Sequence, residues 1–211
     1  MKKIRTLVAG AIGAAVIVGG SVSAAPAQAQ APSILDIVAG SLNDNGGAPT
    51  DNRWNDFDIL ANAVGALGLG DAVAGLDGAT VFAPTDASFR GLVADLTNTP
   101  VWKLKEADVL NTIVSLTADQ AIKDGLTTTV LYHVSPQNDI NPLRSRTAIP
   151  TVAGVDIKPI PLRFSSILRD GDRNDFNPFV VGGPISASNG TVYVIAGVLR
   201  PIDLKALFPL D

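Results

Sequence analysis

"TVFAPTDASF", Thr80–Phe89, holds the end of a strand, the start of a helix and the first residue of an apolar stripe. Thr80–Ala83 reads as β, with Val and Phe set among small residues. Pro84 stops the strand, and Thr85 or Asp86 starts a helix by satisfying free backbone N–H groups. That helix runs through Leu96, and Phe89, Leu92, Val93 and Leu96 recur on one face. A strand passing directly into an amphipathic helix makes the next question what lies on either side.

Upstream, the pattern is helical. "APSILDIVAG" reads as a short helix capped by Ser33, with Ile34, Leu35, Ile37 and Val38 on its apolar face. "SLNDNGGAPTDNRWN" is polar and glycine-rich and reads as a loop. Phe57, Leu60, Val64 and Leu67 then recur at helical spacing, and a further turn follows near Asp71–Ala74. The glycines of "GALGLGDAVAG" mark a helix end and lack the order of a phosphate-binding loop. Downstream, "KEADVLNTIVSLTADQAIKDGLTTTVLYHV" reads as two helices divided near Leu116–Thr117, turning extended at "LYHVS". After Pro136 the apolar runs are short and cut by Gly and Pro, as strands are. Asn189-Gly190 between two such runs predicts a hairpin with a type I′ turn, and Val192, Val194 and Val198 are expected to point into the core. A helix-rich first half and a strand-rich second half make the class α+β.

The N-terminus reads as a secretory leader. "MKKIR" is basic, "TLVAGAIGAAVIVGG" is apolar, and "SVSAAPAQAQA" offers small-residue cleavage sites, with cleavage expected after Ala29. The apolar run falls short of the ~20 residues a spanning helix needs. The chain has 211 residues, so residues 30–211 are expected to form one exported domain with no membrane span after cleavage. The formal net charge is −4, and loss of Lys2, Lys3 and Arg5 with the leader makes it −7. That acidity argues against nucleic acid and against anionic membranes. The chain has no cysteine, so no disulfide supports it, and "LKALFPLD" at the C-terminus carries no hydrophobic tail.

Three blocks occur in order: "TVFAPTDASF" (Thr80–Phe89), "LYHV" (Leu131–Val134) and "NGTVYVIAGVLRP" (Asn189–Pro201). Together they resemble the fasciclin (FAS1) domain family, from about Ser33 to Ile202. The resemblance implies a two-sheet β wedge packed with several helices. It also implies a non-catalytic role in cell adhesion and matrix contact. Tyr132 and His133 match the family's tyrosine–histidine stretch, linked to receptor and cell binding in some animal members, and are the binding residues the resemblance implies. The chain departs from the family at Tyr193, where histidine is usual, and at Ala196, where aspartate is usual. Two segments look like added loops, near 43–56 and 165–179.

His133 is the sole histidine. It reads either as a packed residue giving a ring N–H to a backbone carbonyl or to the Thr85/Asp86 helix start, or as part of a recognition surface. Catalysis is disfavoured, since no G-x-S-x-G elbow is present and every serine would share this one base. One His and no Cys leave no zinc set, and no cofactor is expected. Calcium is the sharper alternative. Asp170, Asp172, Asn174 and Asp175 place oxygens in one loop, with Asp56 or Asp58 as donors from the other. The EF-hand pattern fails, because Asp175 and Val181 stand where Gly and Glu belong. Trp54 and Trp102 could stack on sugar rings or simply pack. The expected function is therefore a secreted binding or adhesion protein whose partner is an extracellular protein or polysaccharide. The rivals are a calcium-dependent structural protein and a carbohydrate-active enzyme with paired carboxylates.

Overall fold

The computed structural model describes residues 30–44 and 46–207. The expected leader at 1–29 lies outside them. Ser33 starts helix α1 (Ile34–Asp44) with a reciprocal cap. Its hydroxyl accepts from the Asp36 N–H at 3.1 Å, and its own N–H donates to the Asp36 carboxylate at 2.9 Å. α1 continues four residues into the segment expected to be loop. Ser41 extends the face of Ile34 and Val38 and is buried with them. Its hydroxyl accepts from the Phe57 N–H at 3.1 Å, which ties the end of the following loop back to the helix.

The other helices are α2 (Asp58–Ala66), α3 (Gly70–Ala74), α4 (Asp86–Thr97), α5 (Glu106–Leu116) and α6 (Gln120–Tyr132). The strands are β1 (Ala79–Pro84), β2 (Val134–Ser135), β3 (Lys158–Pro161), β4 (Ser166–Arg169), β5 (Phe179–Ala187) and β6 (Gly190–Ala196). The class is α+β, as expected, and the stripe Phe89, Leu92, Val93, Leu96 is buried along α4. β4 falls inside 165–179, so that segment is not wholly an added loop. Its Ser166 and Leu168 alternate into the interior over only four residues, too short a run to stand out beside the polar "DGDRND". The extended chain after α6 begins at Val134 rather than Leu131.

The strands form one six-stranded sheet, in the order β2-β1-β6-β5-β4-β3. β1 and β6 lie parallel at its middle, Ala79 beside Gly190 through Pro84 beside Ile195. The other pairings are antiparallel. The register slips twice along β5, after Val180 and after Gly182, and such bulges bend a strand and steepen its twist. The two faces of β1 and β6 feed different parts of the core. Val81, Ala83 and Val192 pack under the helices with Leu60, Leu92 and Ile113. Phe82, Tyr193 and Ile195 pack on the opposite side with Tyr132, Leu168 and Leu199. β6 is therefore buried on both faces, and Val194, expected inside, is only half-buried while Tyr193 and Ile195 are buried. No helix among the described residues is long and apolar enough to cross a membrane.

The β5–β6 hairpin forms, but its turn differs from expectation. Ala187 pairs with Gly190, so Ser188 and Asn189 are the turn, and neither has positive φ. Asn189 is held by tertiary bonds instead. Its Oδ1 accepts from the Ile34 N–H at 2.8 Å, and its Nδ2 donates to the Leu76 carbonyl at 3.0 Å. A Cβ on Gly190 would lie 2.1 Å from the Ala79 carbonyl oxygen. The pair Asn-Gly thus joins α1, β1 and the chain after α3.

Candidate functional site

His133 caps the C-terminus of α6 and is buried. Its Nδ1 lies 2.7 Å from the Thr129 carbonyl, and its Nε2 accepts from the Leu199 N–H at 3.0 Å. Nδ1 must therefore carry the proton and donate, which fixes the neutral tautomer. Burial holds the ring's pKa down to about 4, against the Thr129 bond that favours the charged form. The His133 carbonyl accepts from the Phe82 N–H at 2.9 Å. One residue thus joins α6, β1 and the closing segment after β6. Tyr132 is fully buried, donates its hydroxyl to the Asp156 carbonyl at 3.2 Å, and has its pKa raised by burial. The structure brings both residues together beneath the surface.

The loop 170–175 is organised by Arg200, which sequence reasoning did not single out. The Arg200 guanidinium lies 2.9 Å from Asp95, 2.8 Å from Asp175 and 3.7 Å from Asp172. The Arg200 N–H also donates to Asp170 at 2.9 Å. Arg200 and Asp172 are buried. Arg169 and Arg173, the arginines beside and within the loop, are exposed instead. A buried guanidinium stands among the carboxylates that a calcium ion would need.

A second acidic group gathers on the other loop. Asp58, Asp86 and Glu106 are the first residues of α2, α4 and α5, and all three are buried. The Asp86 carboxylate does not cap its own helix. Its Oδ1 accepts from the Ile59 N–H at 3.0 Å, in the first turn of α2. Glu106 Oε2 accepts from the N–H groups of Asp51 and Asn52. One carboxylate oxygen from each of Asp51, Asp56, Asp58 and Glu106 lies within 4.8 Å of the others. Burial, then the neighbouring Glu106 carboxyl, pushes the pKa of Asp86 far above the usual carboxylate range. Trp54, in this loop, packs against the helical core under the Arg90 guanidinium at 4.3 Å, while Trp102 is exposed.

The outer half of the sheet carries the third feature. Ile160 pairs with Ile167, Ile167 with Phe179, and Phe179 with Ala196, so these four share one face. None of them is fully buried, and Phe179 is exposed. Two residues along the same face, Lys158 pairs directly with Arg169. Both are exposed, and neither has an ion pair among the described residues. Leu162 and Phe164 are exposed in the turn that joins β3 to β4, Phe164 at 85%.

The model of the fasciclin domain matches residues 55–201. The chain belongs to the fasciclin domain family. A solved FAS1 domain pair from the insect cell adhesion molecule fasciclin I is similar at 14% identity and a TM-score of 0.38. The match covers 68% of this chain and 43% of that one. No curated protein matches the chain. In this fasciclin domain one of the two departures from the family pattern, Tyr193, is absorbed by packing. Tyr193 donates its hydroxyl to the Ile140 carbonyl at 3.0 Å and stacks on Phe82 at 6.1 Å. Ala196 pairs with Phe179, and Phe179 is exposed.

Proposed function

We propose that this fasciclin domain is a secreted, non-catalytic binding module, and that its contact face is the outer sheet face at β3, β4 and β5. The observation that carries the reading is the apolar row of half-buried Ile160 and Ile167 with exposed Phe179, beside the Lys158–Arg169 couple, which has no ion pair among the described residues. Like charges directly opposite one another in a sheet are destabilising, and an apolar row beside them favours a partner over water. A partner that relieves both is an extracellular protein presenting an apolar patch with acidic neighbours. Tyr132 and His133 serve that face from beneath in this reading, by fixing the segments it rests on. The paired-carboxylate enzyme is disfavoured. The carboxylates near Glu106 are gathered four together, each giving one oxygen within 4.8 Å of the others, rather than as a facing pair.

The test is retention of the protein on immobilised matrix proteins, acidic glycans and whole cells, at low and high salt. Phe164→Ser combined with Lys158→Glu and Arg169→Glu should abolish retention on a protein surface while the melting temperature stays within a few degrees. Retention that survives the triple substitution would sink the assignment of the face. Retention on glycans alone would overturn the choice of a protein partner.

A further inference from the structure

We infer that Asp51, Asp56, Asp58 and Glu106, with Asp86 behind them, form a calcium site that fastens the loop before α2 onto the starts of α2, α4 and α5. The inference is independent of the outer sheet face. The donor set is oxygen only, which selects a hard cation over zinc or copper. Its four oxygens lie within 4.8 Å of one another. Two ligands on opposite sides of a calcium ion are separated by about twice 2.4 Å, so the group already has the width of a calcium shell. Magnesium needs oxygens at about 2.1 Å and keeps most of its waters, which suits a closed protein cage poorly.

Acidic clusters are common on surfaces, but this one has a buried floor in which one oxygen of each carboxyl meets no donor among the described residues. Glu106 and Asp86 are fully buried. Among the described residues no N–H or hydroxyl donor reaches Glu106 Oε1 or Asp86 Oδ2; the two carboxyls face each other, and the other oxygen of each accepts from backbone N–H groups. Asp56 Oδ1 is likewise buried and meets no N–H or hydroxyl donor among the described residues. Asp56, Asp86 and Glu106 have no ion pair among the described residues. Buried carboxyl oxygens without donors are strongly unfavourable unless a cation or a shared proton joins them. Asp51 and Asp56 are only half-buried and leave a way in from solvent. Arg53, paired with Asp51 at 3.2 Å, is itself 64% exposed and free to swing aside. In the loop 170–175, Asp170 Oδ1 and Asp172 Oδ2 also lack a hydrogen-bond donor among the described residues, but there the Arg200 guanidinium already supplies the cation.

The protein is first stripped with chelator and then titrated with calcium chloride alone, with melting followed at each step. At a hundredfold excess over Kd the melting temperature should rise by about 5–10 °C. Terbium should bind in place of calcium and show emission sensitised by Trp54, which lies between Asp51 and Asp56. Both responses should weaken at least tenfold in Asp56→Asn and in Glu106→Gln and persist in Asp172→Asn. Should Glu106→Gln fail to fold, Asp56→Asn carries the comparison. A chain that neither stabilises with calcium nor sensitises terbium holds protons between these carboxyls instead, and the inference fails. Equal stabilisation by magnesium overturns the choice of ion. A response lost in Asp172→Asn but kept in Asp56→Asn places the ion in the wrong loop for this proposal.

Discussion

Below pH 6.5 an unfolded chain protonates its histidine, whereas the buried ring of His133 stays neutral down to about pH 4. Between those values the unfolded state holds more protons, so stability falls as the pH falls. Asp170 has the opposite sign. Burial raises its pKa from 3.8 to about 6, so its contribution is lost as the pH rises through that range. The two trends overlap and partly cancel in the whole protein. Comparison with His133→Gln removes the overlap, since Asp170 is common to both chains. The advantage of the parent over His133→Gln should be constant above pH 7 and shrink by up to about 3 kcal/mol on approach to pH 4. Chemical denaturation at stepped pH reads it, and a pH-independent difference would mean that the ring is already reached by water. The carbonyl partner of His133 was legible from its apolar neighbours. The Leu199 N–H was not, because the contact joins residues sixty-six positions apart. Asn189 teaches the same point. Its local pattern gives a hairpin, but its side chain is committed to Ile34 and Leu76. Asn189→Ala should therefore cost about 1–3 kcal/mol. Gly190→Ala should cost more, since its Cβ would meet the Ala79 carbonyl. Equal losses in urea melts would contradict that ranking.

Among the elements, legibility followed length. The stripe of α4 and the breaks around α3 and between α5 and α6 were readable because several apolar residues repeat the period. β4 was not, since four residues beside an acidic turn carry too little pattern. The acidic turn itself was read by charge alone, and charge alone cannot say which cation answers it. Arg200 does so from the segment after β6, and it is nearly inaccessible, with 4% of its side chain exposed. Arg200→Met should destabilise the chain by about 3–5 kcal/mol, because Asp172 would be left buried and unpaired. Adding Asp172→Asn should restore part of the loss, and the size of that rescue is the coupling between the two residues. Additive losses in the double variant would show that Arg200 stabilises by packing its stem. The helix starts follow a related rule. Sequence placed Thr85 or Asp86 at the start of α4; Thr85 is its N-cap residue, and the Asp86 carboxylate serves α2, which only the fold brings beside α4.

Across the whole molecule, the helical half and the strand half are legible as separate patterns, which invites the expectation of two units that melt apart. The central strands oppose that. Val81 and Ala83 face the helical cluster while Phe82, between them, faces the other, and Val192 and Tyr193 divide in the same way. A strand cannot be removed from one cluster and kept in the other. The protein should unfold in one transition, with helix ellipticity, Trp54 fluorescence and near-ultraviolet tyrosine signals changing together. Phe82 is fully buried in the smaller cluster, against the Tyr193 ring. Phe82→Ala should cost about 3–5 kcal/mol and move all three signals to the same lower midpoint. If the tyrosine signal fell first while the helices and Trp54 kept their original midpoint, the two clusters would be independent. The shared strands would then not couple the two halves.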